Sequence, residues 1–363
     1  MQLYIGLMSG TSLDGLDICL VSIDHTIQLL DSQFLEFPAE LRSELLSLCQ
    51  PCKNELTRLS IAEQEWARLA SSGIKQILQR QAISPAAIAA IGSHGQTIRH
   101  HPELGFSVQI GAPALLAELT GIRVISHFRQ RDLAAGGQGA PLVPAFHHWL
   151  FAASGQASAI VNIGGFSNIS FILPDEPVSG FDCGPGNVLL DAWVQKNLGD
   201  QYDSNGDWAR SGTVNQTLLD SFLQQPYFRI SGPKSTGREL FNLSWLEQQL
   251  IAYPACPAED VQATLAELTA ICISQSVPEQ GKALHQLAVC GGGARNSHLL
   301  ERLAHLLPGL KVVTTDQLGV PADWMEAMAF AWLAHCCLKG VAGNRPEVTG
   351  ARGLRILGAV YPA

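Results

Sequence analysis

Three glycine-rich loops, each directly after a run of strand-forming residues, are the residues in this sequence best suited to chemistry. The first reads SGTSLDG at residues 9–15, the second NIGGFSN at 162–168 and the third CGGGARN at 290–296. Glycine lets backbone N–H groups come close to an anion, and hydroxyl side chains add donors at little steric cost. Any one loop could be an ordinary hairpin turn, but three of them predict a site for a phosphorylated ligand.

The familiar nucleotide fingerprints are absent from these loops. The stretch SGPKSTG at 231–237 contains Lys-Ser but lacks the spacing of a P-loop, and CGGGARNS is not a Gly-x-Gly-x-x-Gly motif. The remaining common way to hold a triphosphate is a pair of β-hairpin loops that face each other across a cleft, with a third glycine turn near the adenosine.

A carboxylate at the end of another predicted strand supplies a candidate general base. Asp182 stands beside the small turn CGPGN, from which it could reach a cleft and accept a proton from water. Two alternatives stay open. Asp182 could instead cap a helix that starts near Gly186 and Asn187, or Cys183 could act as a thiol nucleophile with His94 as its base.

The elements around these loops predict an α/β protein whose two halves open alike. Apolar strands at 2–8 and 16–23 enclose the first loop, and residues 158–173 repeat that plan about half a chain later. We predict one domain at 1–127, a second at 128–346, and a C-terminal segment at 347–363 that packs back on the first domain.

Helical spacing of apolar residues predicts the helices that support these strands. The predicted helices are 54–81 with Asn54 as cap, a short helix ended by Gly121, 261–277, 296–306, and 323–339 with Asp323 as cap.

Composition limits the classes of function. With 23 Lys and Arg against 32 Asp and Glu, the net charge is -9, and the absence of a basic stripe argues against nucleic-acid binding. No apolar run approaches the roughly 20 residues of a membrane span. Nine scattered cysteines fit reduced thiols. We therefore expect a soluble cytoplasmic protein that binds neither nucleic acid nor membrane.

The loops and their order resemble the anhydro-N-acetylmuramic acid kinase family, in the superfamily of sugar kinases, heat-shock chaperone ATPases and actin. The likeness spans nearly the whole chain and is carried by the following motifs: GLMSGTSLDGLD, GSHGQTIRH, DLAAGGQGAPLVPAFH, NIGGFSN, GFDCGPGN, GPKSTGRE, CGGGARN and PADWMEAMAFAWLA. The resemblance implies two duplicated ribonuclease H-like lobes with an active-site cleft between them, and a homodimer.

The resemblance also implies a reaction. ATP phosphorylates 1,6-anhydro-N-acetylmuramic acid while water opens the anhydro bridge, giving N-acetylmuramic acid 6-phosphate and ADP in peptidoglycan recycling. Asp182 matches the catalytic base, and Gly10 to Asp17 matches the ATP-binding loop. The residues expected at ATP and its phosphates are Gly10, Thr11, Ser12, Leu13, Asp14, Gly15, Leu16, Asp17, Asn162, Gly164, Gly165, Gly291, Gly292, Gly293 and Asn296.

The sugar is expected where SHGQT and FRQRDLAAGGQGAP meet. Gln96 and Thr97 can bond hydroxyl and acetamide groups. Arg129 or Arg131 could form a bidentate pair with the lactyl carboxylate. The alternative for each arginine is a surface ion pair. The full set expected at the sugar is His94, Gln96, Thr97, Arg129, Arg131, Asp132 and Glu326.

Two departures from the superfamily pattern concern the metal. Sugar kinases of the superfamily usually carry an Asp before the Gly-Thr of the first loop, where this chain has Met8-Ser9. They usually carry another Asp before the Gly-Gly of the second loop, where this chain has Asn162-Ile163. Since ATP chemistry needs a cation across the phosphates, we predict Mg²⁺ held mainly by phosphates and water, with Asp182, Asp14 or Asp17 nearby. His127 also stands where relatives often have an acid.

Three other functions compete with this interpretation. They are a sugar kinase of another specificity, a glycoside hydrolase that uses no ATP, and a non-catalytic nucleotide-dependent interaction module. A glycosidase ordinarily needs two facing acids and no phosphate loops.

Overall fold

The computed structural model describes residues 1–10, 13–152, 155–174, 176–230, 234, 236–277 and 284–363. Two compact units make up the chain. The first unit comprises Met1–Leu150 and Trp324–Ala363, and the second comprises Phe151–Asp323. The sequence predicts a first domain at 1–127 and a second at 128–346. Residues 128–150 and 324–346, which that prediction assigns to the second domain, belong to the first unit.

The described residues form thirteen strands and thirteen α-helices. The strands are β1 (Gln2–Met8), β2 (Gly15–Ile23), β3 (Ile27–Glu36), β4 (Ile88–Ser93), β5 (Gln96–His101), β6 (Phe106–Ile110), β7 (Val124–Ser126), β8 (Ser158–Ile163), β9 (Phe166–Ile172), β10 (Ser179–Pro185), β11 (Gln286–Cys290), β12 (Lys311–Thr314) and β13 (Ala359–Tyr361). The helices are α1 (Ala39–Leu48), α2 (Glu55–Arg80), α3 (Pro113–Thr120), α4 (Gln130–Ala134), α5 (Val143–Phe151), α6 (Val188–Leu198), α7 (Asp207–Ser211), α8 (Gln216–Leu223), α9 (Leu243–Leu250), α10 (Ala258–Ser276), α11 (Ser297–Leu306), α12 (Met325–Lys339) and α13 (Pro346–Thr349).

The main sheet of the first unit runs in the order β13-β7-β4-β1-β2-β3. Strands β1, β2 and β3 are successive antiparallel neighbours, whereas β4 and then β7 continue the other side of β1 in parallel. Strand β13 closes the β7 edge in antiparallel pairing. The C-terminal strand therefore belongs to the sheet of the first unit.

The sheet of the second unit has the order β10-β9-β8-β11-β12. Strands β8, β9 and β10 are antiparallel neighbours, and β11 and β12 continue in parallel from the other side of β8. Each unit thus places its strands in the order 3-2-1-4-5 with the same directions, which is the ribonuclease H-like arrangement. The predicted duplication of an α/β fold is confirmed.

Helix α12 joins the first unit because two glycines in the sheet let its backbone approach closely. A Cβ at Gly6 on β1 would overlap the carbonyl oxygen of Ala327, and one at Gly92 on β4 would overlap that of Phe330. Ten of the fifteen residues of α12 are buried, so the helix is apolar nearly all round. Its amino-acid pattern shows that it is buried but not which sheet covers it.

The predicted helices are present, but two predicted caps are wrong. Asn54 precedes α2 in the left-handed region at φ 55° and makes no side-chain cap bond. Trp324 rather than Asp323 precedes α12, again without a side-chain bond, since the carboxylate of Asp323 pairs with Arg295 at 2.7 Å. Among the described residues, no helix combines the length and the apolarity that a membrane crossing requires.

Candidate active site

The first glycine loop of the sequence is the turn between β1 and β2, in the first unit. Two contacts hold its first end: the Ser9 hydroxyl donates to the carbonyl of Gly95 at 3.0 Å, and the Gln96 amide donates to the carbonyl of Gly10 at 3.2 Å. Leu13 has φ 58°. Thr11 and Ser12, both expected at ATP, lie outside the described residues.

The far side of this turn is fixed by an arginine from α1. The Arg42 guanidinium donates to the carbonyl of Leu13 at 3.1 Å and lies 3.7 Å from the exposed carboxylate of Asp14. The side chains of Leu13 and Leu16 are buried, so these two predicted ATP contacts can act only through their backbone. Asp17 pairs with Met8 across the hairpin.

The second glycine loop is the turn between β8 and β9, in the second unit, and it is bonded to the start of α6. The carbonyl of Gly164 accepts from the N–H of Asn187 at 2.9 Å, and that of Gly165 accepts from Gly186 and Val188 at 2.9 and 3.0 Å. Asn187 also donates through its side chain to the carbonyl of Ile163 at 3.2 Å. The helix start therefore orients the turn with its carbonyls inward to α6.

The third glycine loop packs directly on the second. A Cβ at Gly291, which has φ 77°, would overlap the side-chain oxygen of Asn162, and a Cβ at Gly293 would overlap Ile163. Gly292 lies next to Asn187. The second and third predicted phosphate loops thus form one surface. Asn296 uses its side-chain oxygen to cap α11 at the N–H of Leu299, at 3.0 Å.

Asp182 lies on β10, half-buried, and is held by its backbone and its carboxylate. Its N–H donates to the carbonyl of Lys234 at 3.0 Å, and its carbonyl accepts from the Tyr227 hydroxyl at 2.6 Å. Its carboxylate oxygen Oδ2 accepts from the N–H of Thr236 at 3.1 Å. Asn187 precedes α6 without a side-chain cap bond, so the alternative role of Asp182 as helix cap has no support.

The thiol alternative is disfavoured by burial. Cys183 is 1% exposed, and burial raises the pKa of its thiol to about 12, with the Asp182 charge acting in the same direction. A thiol with such a pKa is hardly ionised at neutral pH and is a poor nucleophile.

A pair of side chains in the first unit, buried His94 and half-buried Arg129, links two residues expected at the sugar. The Arg129 guanidinium donates to the carbonyl of Gly139 at 2.7 Å and lies 2.9 Å from Nε2 of His94. Burial and the charge of Arg129 lower the pKa of His94 to about 3. Because arginine only donates, Nε2 of His94 accepts and Nδ1 carries the proton. Arg129 therefore orients His94 and the 136–139 loop.

Asp132 is fully buried and acts as a clamp. Its Oδ2 accepts from the N–H of Gly139 at 2.8 Å, and its Oδ1 accepts from Asn344 at 2.8 Å and from the Thr349 hydroxyl at 2.7 Å. These bonds tie the 136–139 loop to the segment around α13. The carboxylate is thus engaged inside the first unit, which favours a structural role over the predicted contact with sugar.

The other residues expected at the sugar differ in accessibility. Gln96 is buried with its Oε1 unpartnered among the described residues, and the Thr97 hydroxyl accepts from Gln109 at 3.2 Å. Arg131 is exposed on α4, and Glu326 is half-buried in the first turn of α12. His127 follows β7 at φ 59°.

In the described part of the chain, no cluster of three or more His, Cys, Asp or Glu side chains could hold a metal ion. The exposed carboxylate of Asp14 lies in the first glycine turn. It fits Mg²⁺ that arrives with a nucleotide, because Mg²⁺ usually keeps several waters and binds substrate phosphates with one or two carboxylates.

Sequence reasoning missed the residues that position the site. Arg42, Tyr227 and Thr236 each contact a predicted site residue in the structure. Only the position of Thr236 inside a quoted motif could have indicated it, since the other two come from elements distant in sequence.

Two ribonuclease H-like units, each with a polar glycine-containing turn between its first two strands, define the fold of the actin-like ATPases and sugar kinases. The family model described as anhydro-N-acetylmuramic acid kinase matches residues 2–363. The chain belongs to the anhydro-N-acetylmuramic acid kinase family, and it is a kinase.

Curated relatives carry the same family name. Over 362 residues the chain is 59% identical to the anhydro-N-acetylmuramic acid kinase of Pseudomonas fluorescens, with 100% of both chains covered. It is 50% identical to that of Bordetella pertussis, covering 100% of this chain and 96% of the other. Among solved structures, the activator of the 2-hydroxyisocaproyl-CoA dehydratase from Clostridium difficile with bound ADPNP has a TM-score of 0.47, at 11% identity and with 94% and 98% of the two chains covered.

Proposed function

We propose that this kinase transfers the γ-phosphate of ATP to 1,6-anhydro-N-acetylmuramic acid and opens its anhydro bridge with water in the same reaction. Water forms a bond to C1, the C1–O6 bond breaks, O6 takes the γ-phosphoryl group, and ADP leaves. The proton from water passes to Asp182. The products are N-acetylmuramic acid 6-phosphate and ADP, which suits the recovery of cell-wall sugar.

The observation that carries the proposal is the setting of Asp182. Tyr227 and Lys234 fix its backbone, and the N–H of Thr236 holds one carboxylate oxygen at 3.1 Å. A base must be oriented before it can accept a proton efficiently. The strand and its neighbours supply that orientation without substrate.

The glycine turns supply the phosphate contacts in this proposal. The proposed contacts to the β- and γ-phosphates are the turns that contain Gly10 and Gly15 in the first unit and Gly164 and Gly165 in the second. Gly291 to Gly293 would lie nearest the adenosine. Mg²⁺ bound to the phosphate oxygens would neutralise the developing charge, while Asp182 and the turns hold the reacting groups.

Incubation with ATP and the anhydro sugar in heavy-oxygen water tests the reaction. We expect ADP and a 6-phosphate that carries the label at C1. Label at C1 without consumption of ATP would mean a hydrolase step uncoupled from phosphorylation. A phosphorylated sugar with its bridge intact would contradict the coupling.

Asp182→Asn tests the base. An amide cannot take the proton from water, so we expect kcat to fall by roughly 10²- to 10⁴-fold, with binding of an ATP analogue and the melting temperature retained. Asp220→Asn, an exposed substitution on α8, is the matched control and should keep wild-type activity. Near-normal turnover in Asp182→Asn would contradict the assignment.

A further inference from the structure

A row of polar side chains crosses the sheet of the second unit at the level of Asp182. Asn162 on β8 is paired with Asn168 on β9, and Asn168 is paired with Asp182 on β10. Directly opposed residues in an antiparallel sheet point to the same face. The row therefore runs from the second glycine turn to the proposed base, and Asn168 is its middle member.

Asn168 and Asp182 form the closer kind of strand pair. Both backbone groups of Asp182 are used away from β9, by Lys234 and Tyr227, so the pair is not hydrogen-bonded through its backbone. In such pairs the Cα atoms are only about 4.5 Å apart and the side chains are close neighbours. A molecule held by the carboxylate of Asp182 is thus within reach of the Asn168 amide.

The side-chain oxygen of Asn168 is buried and has no hydrogen-bond partner among the described residues. The side-chain oxygen of Asn162 faces β11, where it accepts from the Cys290 thiol at 3.9 Å. A buried polar atom without a partner costs roughly 1–3 kcal/mol. The hydroxyl oxygen of Thr236 is a second such atom. The backbone N–H of the same residue bonds the carboxylate of Asp182. Two unpartnered polar atoms beside one carboxylate indicate a place for a polar ligand.

We propose that Asn168 is a further catalytic residue, whose side-chain oxygen accepts a hydrogen bond from the water that attacks C1. This inference rests on the proposed function. An oxygen acceptor needs a donor, and phosphate oxygens offer none, whereas water does. A water that donates one hydrogen to Asp182 and the other to Asn168 has its lone pair directed away from both. The pair of acceptors would therefore aim the nucleophile at C1, and its proton would leave to Asp182.

Asn168→Ala removes this acceptor and leaves the base. We expect kcat to fall by about 10²-fold, as for misplaced reacting groups, with the KM values for ATP and sugar nearly unchanged. The matched control is Ser170→Ala, at the next position on the same face of β9, which should keep kcat. A raised KM for the sugar at unchanged kcat would show that a sugar hydroxyl is the donor and overturn the assignment, as would unchanged kinetics.

Asn168→Asp gives a second readout that a merely structural role would not move. The aspartate keeps an acceptor but places a second carboxylate beside Asp182, so the pKa of one of the two should rise. We expect the acidic limb of the profile of kcat/KM against pH to move to higher pH. The activity of Asn168→Asp should recover toward alkaline pH, whereas that of Asn168→Ala should not. An unmoved acidic limb would contradict the proposal.

Folding and the parent reaction are checked separately. Melting temperature and binding of an ATP analogue should match the wild type in both Asn168 variants. Wild-type enzyme in heavy-oxygen water is assayed beside them. If it incorporates label at C1 while Asn168→Ala turns over normally, only the role of Asn168 fails. If the wild type incorporates none, the proposed function fails and the role of Asn168 with it.

Discussion

At the scale of single residues, two neighbouring side chains show how burial separates residues that the sequence cannot. Asp132 and Arg131 are adjacent, and both were expected at the sugar. Asp132 is buried with three donors on its carboxylate, whereas Arg131 is exposed. Arg129 uses Nη1 and Nη2 of its guanidinium on Gly139 and His94. Of the two arginines, Arg131 is therefore the better candidate for the lactyl carboxylate.

This choice makes a testable prediction about sugar specificity. A hydrogen bond to a charged group is worth about 1.5–3 kcal/mol, so Arg131→Ala should raise the KM for 1,6-anhydro-N-acetylmuramic acid by roughly 10- to 100-fold. The analogue 1,6-anhydro-N-acetylglucosamine lacks the lactyl group, and its kinetics should be the same in wild type and variant. Steady-state assays with both sugars test this.

The control for Arg131→Ala lies on the same short helix. Gln130→Ala removes a neighbouring side chain that donates to the carbonyl of Ser107 at 2.8 Å, and it should affect both sugars alike. A loss in Arg131→Ala that is equal for the two sugars would contradict a contact with the carboxylate.

At the scale of elements, α6 and the second glycine turn act as one part. The N–H groups of Gly186, Asn187 and Val188 bond the carbonyls of the turn, and a Cβ at Gly186 would overlap the carbonyl oxygen of Gly164. The start of α6 thus sets the position of Gly164 and Gly165 without contacting a ligand itself.

Gly186→Ala should therefore weaken nucleotide use. The added methyl group displaces the turn, and we expect the KM for ATP to rise by about 10-fold, on the scale at which small displacements of binding groups act. The KM for the sugar should change less. Gly199→Ala at the other end of α6 has open space around its Cβ and φ 80°, so it should cost about 1 kcal/mol of stability and leave the KM for ATP unchanged. Equal KM values for ATP in the two variants would show that α6 does not set the turn.

The elements themselves follow from local pattern, whereas their partners do not. Apolar runs interrupted by polar glycine turns predicted β1 with β2 and β8 with β9, because a hairpin joins residues close in sequence. The cover of α12 on β1 and β4, and the contacts of Tyr227 and Thr236 with Asp182, join residues far apart. Nor could the spacing place Asn168 beside Asp182, since that pair depends on the register of β9 with β10.

At the scale of the whole molecule, the repeated sheet order accounts for what the sequence showed only as two halves that open alike. The strand order and directions in the two units are the same, although the turns differ in residue type. A fold tolerates such divergence because its topology depends on apolar strand patterns, while the chemistry depends on a few side chains at their ends. The proposed base, Asp182, lies on the third strand of the second unit, so a duplicated fold could carry its base in one unit alone.

Stability of the molecule should depend on pH through its buried histidines. Burial lowers the pKa of His147 on α5 from an ordinary 6.5 to about 3, and that of His94 similarly. Between these values the unfolded chain binds protons that the folded chain does not, so the free energy of unfolding falls as pH falls through 6.5 toward 3. From about pH 7.5 to about pH 5, each buried histidine should account for ~2 kcal/mol of this loss.

His147→Gln tests this dependence away from the proposed site. Glutamine stays neutral at both pH values, so the variant should lose ~2 kcal/mol less than wild type between about pH 7.5 and about pH 5, whatever its stability at the higher pH. Urea unfolding followed by circular dichroism at the two pH values measures the difference. His25→Gln, at a side chain that is 99% exposed, should lose as much as the wild type does. An equal loss of unfolding free energy in His147→Gln and wild type would contradict the prediction. It would mean that His147 is protonated inside the folded unit, which its full burial opposes because a charge there would lack water.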